Sequence, residues 1–221
     1  SPQGFHASGD KFTRRKMEVT ADMENKRDCI DDTLLFNNTI EENFWAVIKY
    51  IDRLGRNGFV FNSEKFKFAE DEVEFAGFDL TKDGFKPNKN ILESIGNFPV
   101  PENITDVRAF FGLTEQVAYA FSKSRTMAPF RALLQKTQQF YWDANLTKTF
   151  IEARKVIVDA VAEGVKSFQM GRVTMLTTDF SRTGLGYFVH QKYCESSMEM
   201  APHCGPEHWK IVTCGSRFLK D

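Results

Sequence analysis

Asp31 and Asp32 stand side by side between two short apolar arms, Cys29-Ile30 and Thr33-Leu34-Leu35-Phe36. Adjacent carboxylates repel one another, and that repulsion shifts their pKa values. A divalent cation removes the cost. Mg²⁺ is a hard ion that takes oxygen ligands, commonly one or two carboxylates together with substrate phosphates. Two such ions about 3.5–4 Å apart clamp the attacking and leaving oxygens of an in-line phosphoryl transfer. Acids are also ordinary turn residues, so the pair fits a solvated turn as well as a metal site. In both cases the β-forming arms predict a hairpin with the carboxylates at its turn.

A second group with ligand chemistry lies near the other end: Cys194, His203, Cys204, His208 and Cys214. Structural zinc sites use tight pairs such as C-x₂₋₄-C. Only His203-Cys204-x₃-His208 is compact here, so the spacing argues against zinc.

The elements that must position these residues follow from periodicity. Residues 5–23 have the apolar spacing of a surface helix, and residues 39–58 give the clearest helix. Thr39 and Glu42 have the capping-box form. Phe44, Val47, Ile48, Ile51 and Leu54 form one apolar face, and Gly55 and Gly58 are stop signals. Phe66 with Phe68, and then Val73 with Phe75, alternate as strands do. Asp83-Gly84 marks a turn. Short helices are predicted over 91–98, from a Thr105 cap, and over 127–136 with Pro129 in its first turn. Residues 145–164 form a long amphipathic helix on Leu146, Phe150, Ala153, Ile157 and Val161. Strands follow over 173–178, 186–191 and 209–218. The fold class is α+β, in three parts.

Composition narrows the function classes. The chain has 221 residues, 42% hydrophobic and 27% charged, which is globular and leaves room for a sizeable core. No apolar run approaches the ~18 residues of a membrane span, so no membrane partner is expected. A net charge of −1 excludes a strongly basic nucleic-acid-binding chain but not a local basic groove. Four cysteines are too few for a disulfide scaffold and point to a reducing compartment. Phenylalanine is in excess, with 22 copies. The chain starts at Ser1 with no signal-peptide pattern, as a piece of a longer protein would.

An ordered set of motifs carries a family resemblance. Pro2-Gln3-Gly4-Phe5 precedes Ala7-Ser8-Gly9-Asp10, and Cys29-Ile30-Asp31-Asp32 follows. Next come Asn62-Ser63-Glu64-Lys65-Phe66 and Val73-Glu74-Phe75-Ala76-Gly77-Phe78. Then come Phe98-Pro99-Val100-Pro101, Asp106-Val107-Arg108, Phe110-Phe111-Gly112-Leu113 and Pro129-Phe130-Arg131-Ala132-Leu133-Leu134. Thr178-Asp179-Phe180-Ser181 closes the set, with Gly184, Gly186 and Gln191. In this order they resemble the polymerase region of gypsy-type LTR retrotransposon polyproteins, related to retroviral reverse transcriptases.

The resemblance implies a partial reverse-transcriptase palm over 1–85, a helical thumb/connection over 86–140, and the N-terminal strands of an RNase H-like α/β domain over 141–221. It implies Mg²⁺-dependent, RNA-directed DNA synthesis, with two ions in the complete polymerase site. Asp31 and Asp32 would be metal-side carboxylates, and Asp179 the first metal ligand of the ribonuclease H centre. Lys65 would steady or protonate the leaving pyrophosphate. Gln3, Gly4 and Cys29 would touch template, nucleotide and primer end, and Phe75, Gly77 and Phe78 would form the primer grip. Lys123, Arg125 and Arg131 could follow the duplex backbone.

The implied partners are an RNA/DNA template-primer duplex, deoxynucleotides and the remainder of the polyprotein. The implied setting is intracellular, in a cytoplasmic particle or the nucleus. The family's first palm aspartate would lie before Ser1 and the later nuclease carboxylates after Asp221. The 221-residue chain alone is therefore expected to be inactive. Met17 stands where the family often has an acid. The competing reading is a non-catalytic, decayed or domesticated nucleic-acid-binding protein. A stand-alone ribonuclease H fails on length.

Overall fold

A computed structural model describes residues 8–135, 139–182, 184–194 and 205–219. The chain divides into two compact units, 1–76 and 77–221. The first contains α1 (Ser8–Val19), β1 (Lys26–Cys29), β2 (Asp32–Leu35), α2 (Ile40–Arg56), a 3-10 turn (Ser63–Lys65) and β3 (Glu72–Phe75).

β1 and β2 pair antiparallel with Cys29 opposite Asp32, which leaves Ile30 and Asp31 as a two-residue connection. Ile30 has φ 51°. A positive φ at the first central residue matches the twist of the flanking strands.

α2 starts as expected. Glu42 N–H donates to Thr39 Oγ1 at 3.2 Å, and Thr39 N–H donates to Glu42 Oε2 at 3.2 Å. It ends where Gly58 turns left-handed at φ 81°. Its buried face differs from the expected one. Val47, Tyr50 and Leu54 are buried, whereas Phe44, Ile48 and Ile51 are 44%, 44% and 36% exposed. The helix is covered on the side that presents Tyr50, so the expected stripe is rotated about its axis.

The strand expected at Phe66 and Phe68 is absent. Asn62 Oδ1 caps the 3-10 turn by accepting from Glu64 N–H at 2.9 Å, and Ala69 at φ 53° interrupts the extended run. Phe68 instead sets its ring 6.2 Å from Phe44.

The second unit opens with β4 (Phe78–Thr81) and β5 (Gly84–Pro87). Helices α3 (Lys89–Gly96), α4 (Ile104–Glu115), α5 (Lys123–Thr126) and α6 (Ala144–Ala162) follow. β6 (Val165–Lys166) returns to pair with β5, a strand that periodicity did not predict. β7 (Thr174–Phe180), β8 (Gly184–Lys192) and β9 (Trp209–Phe218) form an antiparallel sheet close to the expected spans.

One helix cap and one whole helix depart from expectation. Asn103, not Thr105, caps α4, accepting from Thr105 N–H at 2.8 Å and Asp106 N–H at 3.0 Å. The predicted helix over 127–136 is replaced by two 3-10 turns, Ala128–Phe130 and Ala132–Leu134. Met127, Phe130 and Leu133 are all buried. A three-residue spacing eclipses on one side of a 3-10 helix, so this geometry buries all three.

Part of the phenylalanine excess lies in this core, whereas other copies, such as Phe66 and Phe180, are exposed. Phe110 and Phe150 lie 4.7 Å apart, Phe98 lies 5.1 Å from Phe110, and Phe130 and Trp142 each lie 5.8 Å from Phe150. α6 supplies Phe150, Ala153, Ile157 and Val161 to this core, as its spacing predicts. Strand β9 is fastened to the helical segment: Cys214 N–H donates to Tyr119 O at 2.8 Å, and Ser124 N–H donates to Ser216 Oγ at 2.8 Å.

Candidate active site

The β1–β2 connection places Asp31 and Asp32 at the tip of the hairpin, both exposed. Neither carboxylate has an ion-pair or hydrogen-bond partner among the described residues. Two hard oxygen donors side by side on a solvent-facing tip fit the one or two carboxylates that Mg²⁺ takes from protein. Cys29 is half-buried beside them. A groove of about 530 Å³ runs along α1, lined by Gly9, Asp10, Thr13, Arg14, Met17 and Glu18, and reaches the hairpin at Ile30.

Beneath the tip lies a polar network that sequence reasoning missed. Lys16 is only 2% exposed. Its ammonium donates to Ile30 O at 2.9 Å, Asp32 O at 3.1 Å and Thr33 Oγ1 at 3.1 Å. It also lies 3.2 Å from Asp28 Oδ1. Thr33 Oγ1–H donates to Asp28 Oδ1 at 2.7 Å, and Tyr50 O–H donates to Thr33 Oγ1 at 2.8 Å. Lys26 Nζ reaches Asp28 Oδ2 at 2.5 Å.

Burial alone would push the Asp28 carboxyl up. Hydrogen bonds from Lys26, Thr33 and Lys16 outweigh it and hold the pKa below the usual 3.8. Burial pushes the Tyr50 phenol up, with the nearby Asp28 charge adding to it. One signal in the sequence could have found Lys16: it stands three residues after Thr13 and four before Thr20, the phase of the half-buried and buried side of α1 and the turn that follows it.

The remaining expected site residues are spread over both units. Lys65 ends the 3-10 turn of the first unit and is exposed. Phe75 is half-buried at the end of β3. In the second unit, Gly77 has φ 85°, and a Cβ there would stand 3.0 Å from Ile91 Cδ1. Phe78 packs its ring 5.9 Å from both Phe85 and Tyr119. Asp179 is exposed on β7 opposite Gly186. Gln3 and Gly4 lie outside the described residues.

Two of the expected phosphate-tracking cations are engaged within the chain. Lys123 donates to Phe111 O at 3.1 Å and pairs with Glu115. Arg131 donates to Leu219 O at 2.5 Å and stacks 4.8 Å over Phe218. Arg125 is exposed. Within the Cys/His group, Cys214 is buried with Sγ 3.6 Å from Ala118 O, and burial pushes its thiol up to about 12. His203 and Cys204 lie outside the described residues. Among the described residues no three His, Cys, Asp or Glu side chains converge as a metal cluster. None of the described helices is long and apolar enough to cross a membrane.

No protein-family model matches the chain. It is 22% identical over 165 residues to the Tf2-3 transposon polyprotein of Schizosaccharomyces pombe, covering 74% of this chain and 12% of that polyprotein. The Tf2-7 polyprotein of the same yeast is 21% identical over the same share. The chain is homologous to part of the Tf2 transposon polyproteins.

Solved structures agree on the fold. The dRH form of the foamy viral protease-reverse transcriptase with ds DNA matches 100% of this chain and 37% of its own, with a TM-score of 0.75 and 16% identity. The same enzyme with an RNA/DNA hybrid matches at a TM-score of 0.71, again over 100% of this chain and 28% of its own, at 16% identity. The chain therefore has the fold of part of a reverse transcriptase.

Proposed function

We propose that this chain is part of the RNA-directed DNA polymerase of a gypsy-type LTR retroelement and runs from palm through thumb/connection into ribonuclease H. The observation that carries the reading is the exposed Asp31–Asp32 tip on a tight hairpin, in a chain homologous to transposon polyproteins. The parts are a palm over 1–85, a helical thumb/connection over 86–140, and RNase H-like strands over 141–221.

Asp31 would ligate Mg²⁺ directly, with Asp32 beside it. Bound there, the ion supplies Lewis-acid stabilisation of charge on the transferring phosphoryl group. The primer 3′-hydroxyl oxygen bonds to the α-phosphorus of the deoxynucleotide, the bond to pyrophosphate breaks, and the hydroxyl proton leaves to solvent. Lys65 steadies the departing pyrophosphate by its charge. Gln3 and Gly4 lie under the template–nucleotide pair, Cys29 lies beside the primer end, and Phe75, Gly77 and Phe78 hold the primer strand. Asp179 would hold a Mg²⁺ ion at a separate ribonuclease H site, where the ion would supply Lewis-acid stabilisation for hydrolysis of the RNA strand.

Template-primer duplex, deoxynucleotides and the rest of the polyprotein are the partners. Copying would take place in an intracellular particle or the nucleus. The solved relatives were captured with RNA/DNA hybrid and with ds DNA, which supports duplex as the ligand.

Primer extension on an RNA template, by the polyprotein product that carries this region, tests the reading. Asp31→Asn is expected to lower the rate by ~100-fold or more while duplex binding persists. Extension at the wild-type rate by that variant would overturn it.

A further inference from the structure

A lysine removed from water must find acceptors for its three N–H donors. Lys16, on α1, finds them beneath the Asp31–Asp32 tip. Two of its acceptors are the carbonyls of Ile30 and Asp32, at 2.9 Å and 3.1 Å. These carbonyls bracket the carboxylate pair, one at the peptide entering Asp31 and one at the peptide leaving Asp32.

The turn between them needs such support. Ile30 is β-branched and holds φ 51°, a conformation that persists only where its surroundings over-determine it. Ile30 is also 68% exposed, so side-chain packing does little to fix it. The carbonyl anchor is the visible restraint. Thr33 Oγ1 accepts the third N–H of the same ammonium, the Asp28 carboxylate pairs with its charge at 3.2 Å, and the Tyr50 hydroxyl ties Thr33 to α2.

We propose that Lys16 is a positioning residue for the Asp31–Asp32 pair: its buried ammonium locks the turn and sets both carboxylates for one shared metal ion. The lock rests on contacts within the chain, and the metal half rests on the polymerase reading above. Lys16 does not touch substrate. Its effect passes through the backbone of the turn.

The test uses the 221-residue chain. Amide hydrogen exchange reports the turn, and broadening of NMR signals by Mn²⁺ reports metal binding. In Lys16→Met, exchange over residues 30–35 is expected to rise on the order of tenfold, with α2 and the second unit protected as in the wild type. The half-saturating Mn²⁺ concentration is expected to rise severalfold in the same variant. Wild-type exchange over 30–35 in Lys16→Met would overturn the lock.

If that variant loses protection throughout the first unit, Thr33→Val decides, because it removes the shared hydroxyl and keeps the volume. Faster exchange confined to 30–35 supports the lock, and unchanged exchange overturns it. Asp31→Asn separates the two claims. It is expected to abolish Mn²⁺ broadening with the turn still protected. If broadening survives in Asp31→Asn, the metal reading fails while the exchange result on Lys16 stands.

Discussion

The hairpin tip at Asp31–Asp32 and the strand position at Asp179 both present exposed carboxylates, but they are built differently. The tip is braced from below by side chains of α1 and α2, with a buried ammonium against two turn carbonyls. Asp179 is set by the backbone ladder of a three-stranded sheet, opposite Gly186 and one residue before Phe180, which is 85% exposed. The lesson is about vulnerability. A ladder position tolerates changes in its side chains because main-chain groups hold it. A braced turn depends on a few side-chain atoms, and one substitution can release it.

The largest effect that sharpens this contrast comes from the core beneath the ladder. Phe150→Ala removes the ring at the centre of the Phe98, Phe110, Phe130 and Trp142 cluster. It should destabilise the second unit by about 3–5 kcal/mol, read from the urea midpoint of Trp142 fluorescence. The ladder that places Asp179 would melt with the body that carries it.

Asp28→Asn comes next and acts on the brace. The ammonium of Lys16 would face a neutral amide, at a cost of about 1–3 kcal/mol in hairpin protection by hydrogen exchange. The variant should also change the response to acid. The Asp28 pKa lies below 3.8 in the folded chain, so its stabilisation is complete above the unfolded pKa and is lost as pH falls through the folded one. Hairpin protection in the wild type should therefore decline below about pH 4. The Asp28→Asn variant should lack that segment of the profile.

Asp179→Asn is the smallest. The residue is exposed near the end of β7, so the variant's stability should change by less than about 0.5 kcal/mol. Ribonuclease H cleavage by the polyprotein product should nonetheless fall. A large stability loss in this variant would break the comparison, because it would mean that side-chain contacts hold Asp179 as well.

Much of the fold was legible because it follows local periodicity. The α2 capping box, the α6 face through Phe150, Ala153, Ile157 and Val161, and the strands around 174–180, 184–192 and 209–218 lie close to where spacing puts them. The failures share a cause. Phe66 and Phe68 alternate like a strand but have no strand partner, and alternation cannot supply one. The segment over 127–136 has helical composition, yet its three-residue burial pattern suits 3-10 turns. β6 escaped notice because it is two residues long and exists only by pairing with β5.

The candidate site divides along the same line. Residue types and local spacing were enough to mark Asp31 and Asp32 and to put them at a hairpin turn. Chain order determined the rest of the motif set in the same way. Whether that turn is braced was decided only in three dimensions. Lys16, Asp28, Thr33 and Tyr50 are scattered over α1, the hairpin and α2, and each looks like a surface residue when read alone. Burial makes their polar atoms costly unless they meet, and tertiary packing is what brings them together.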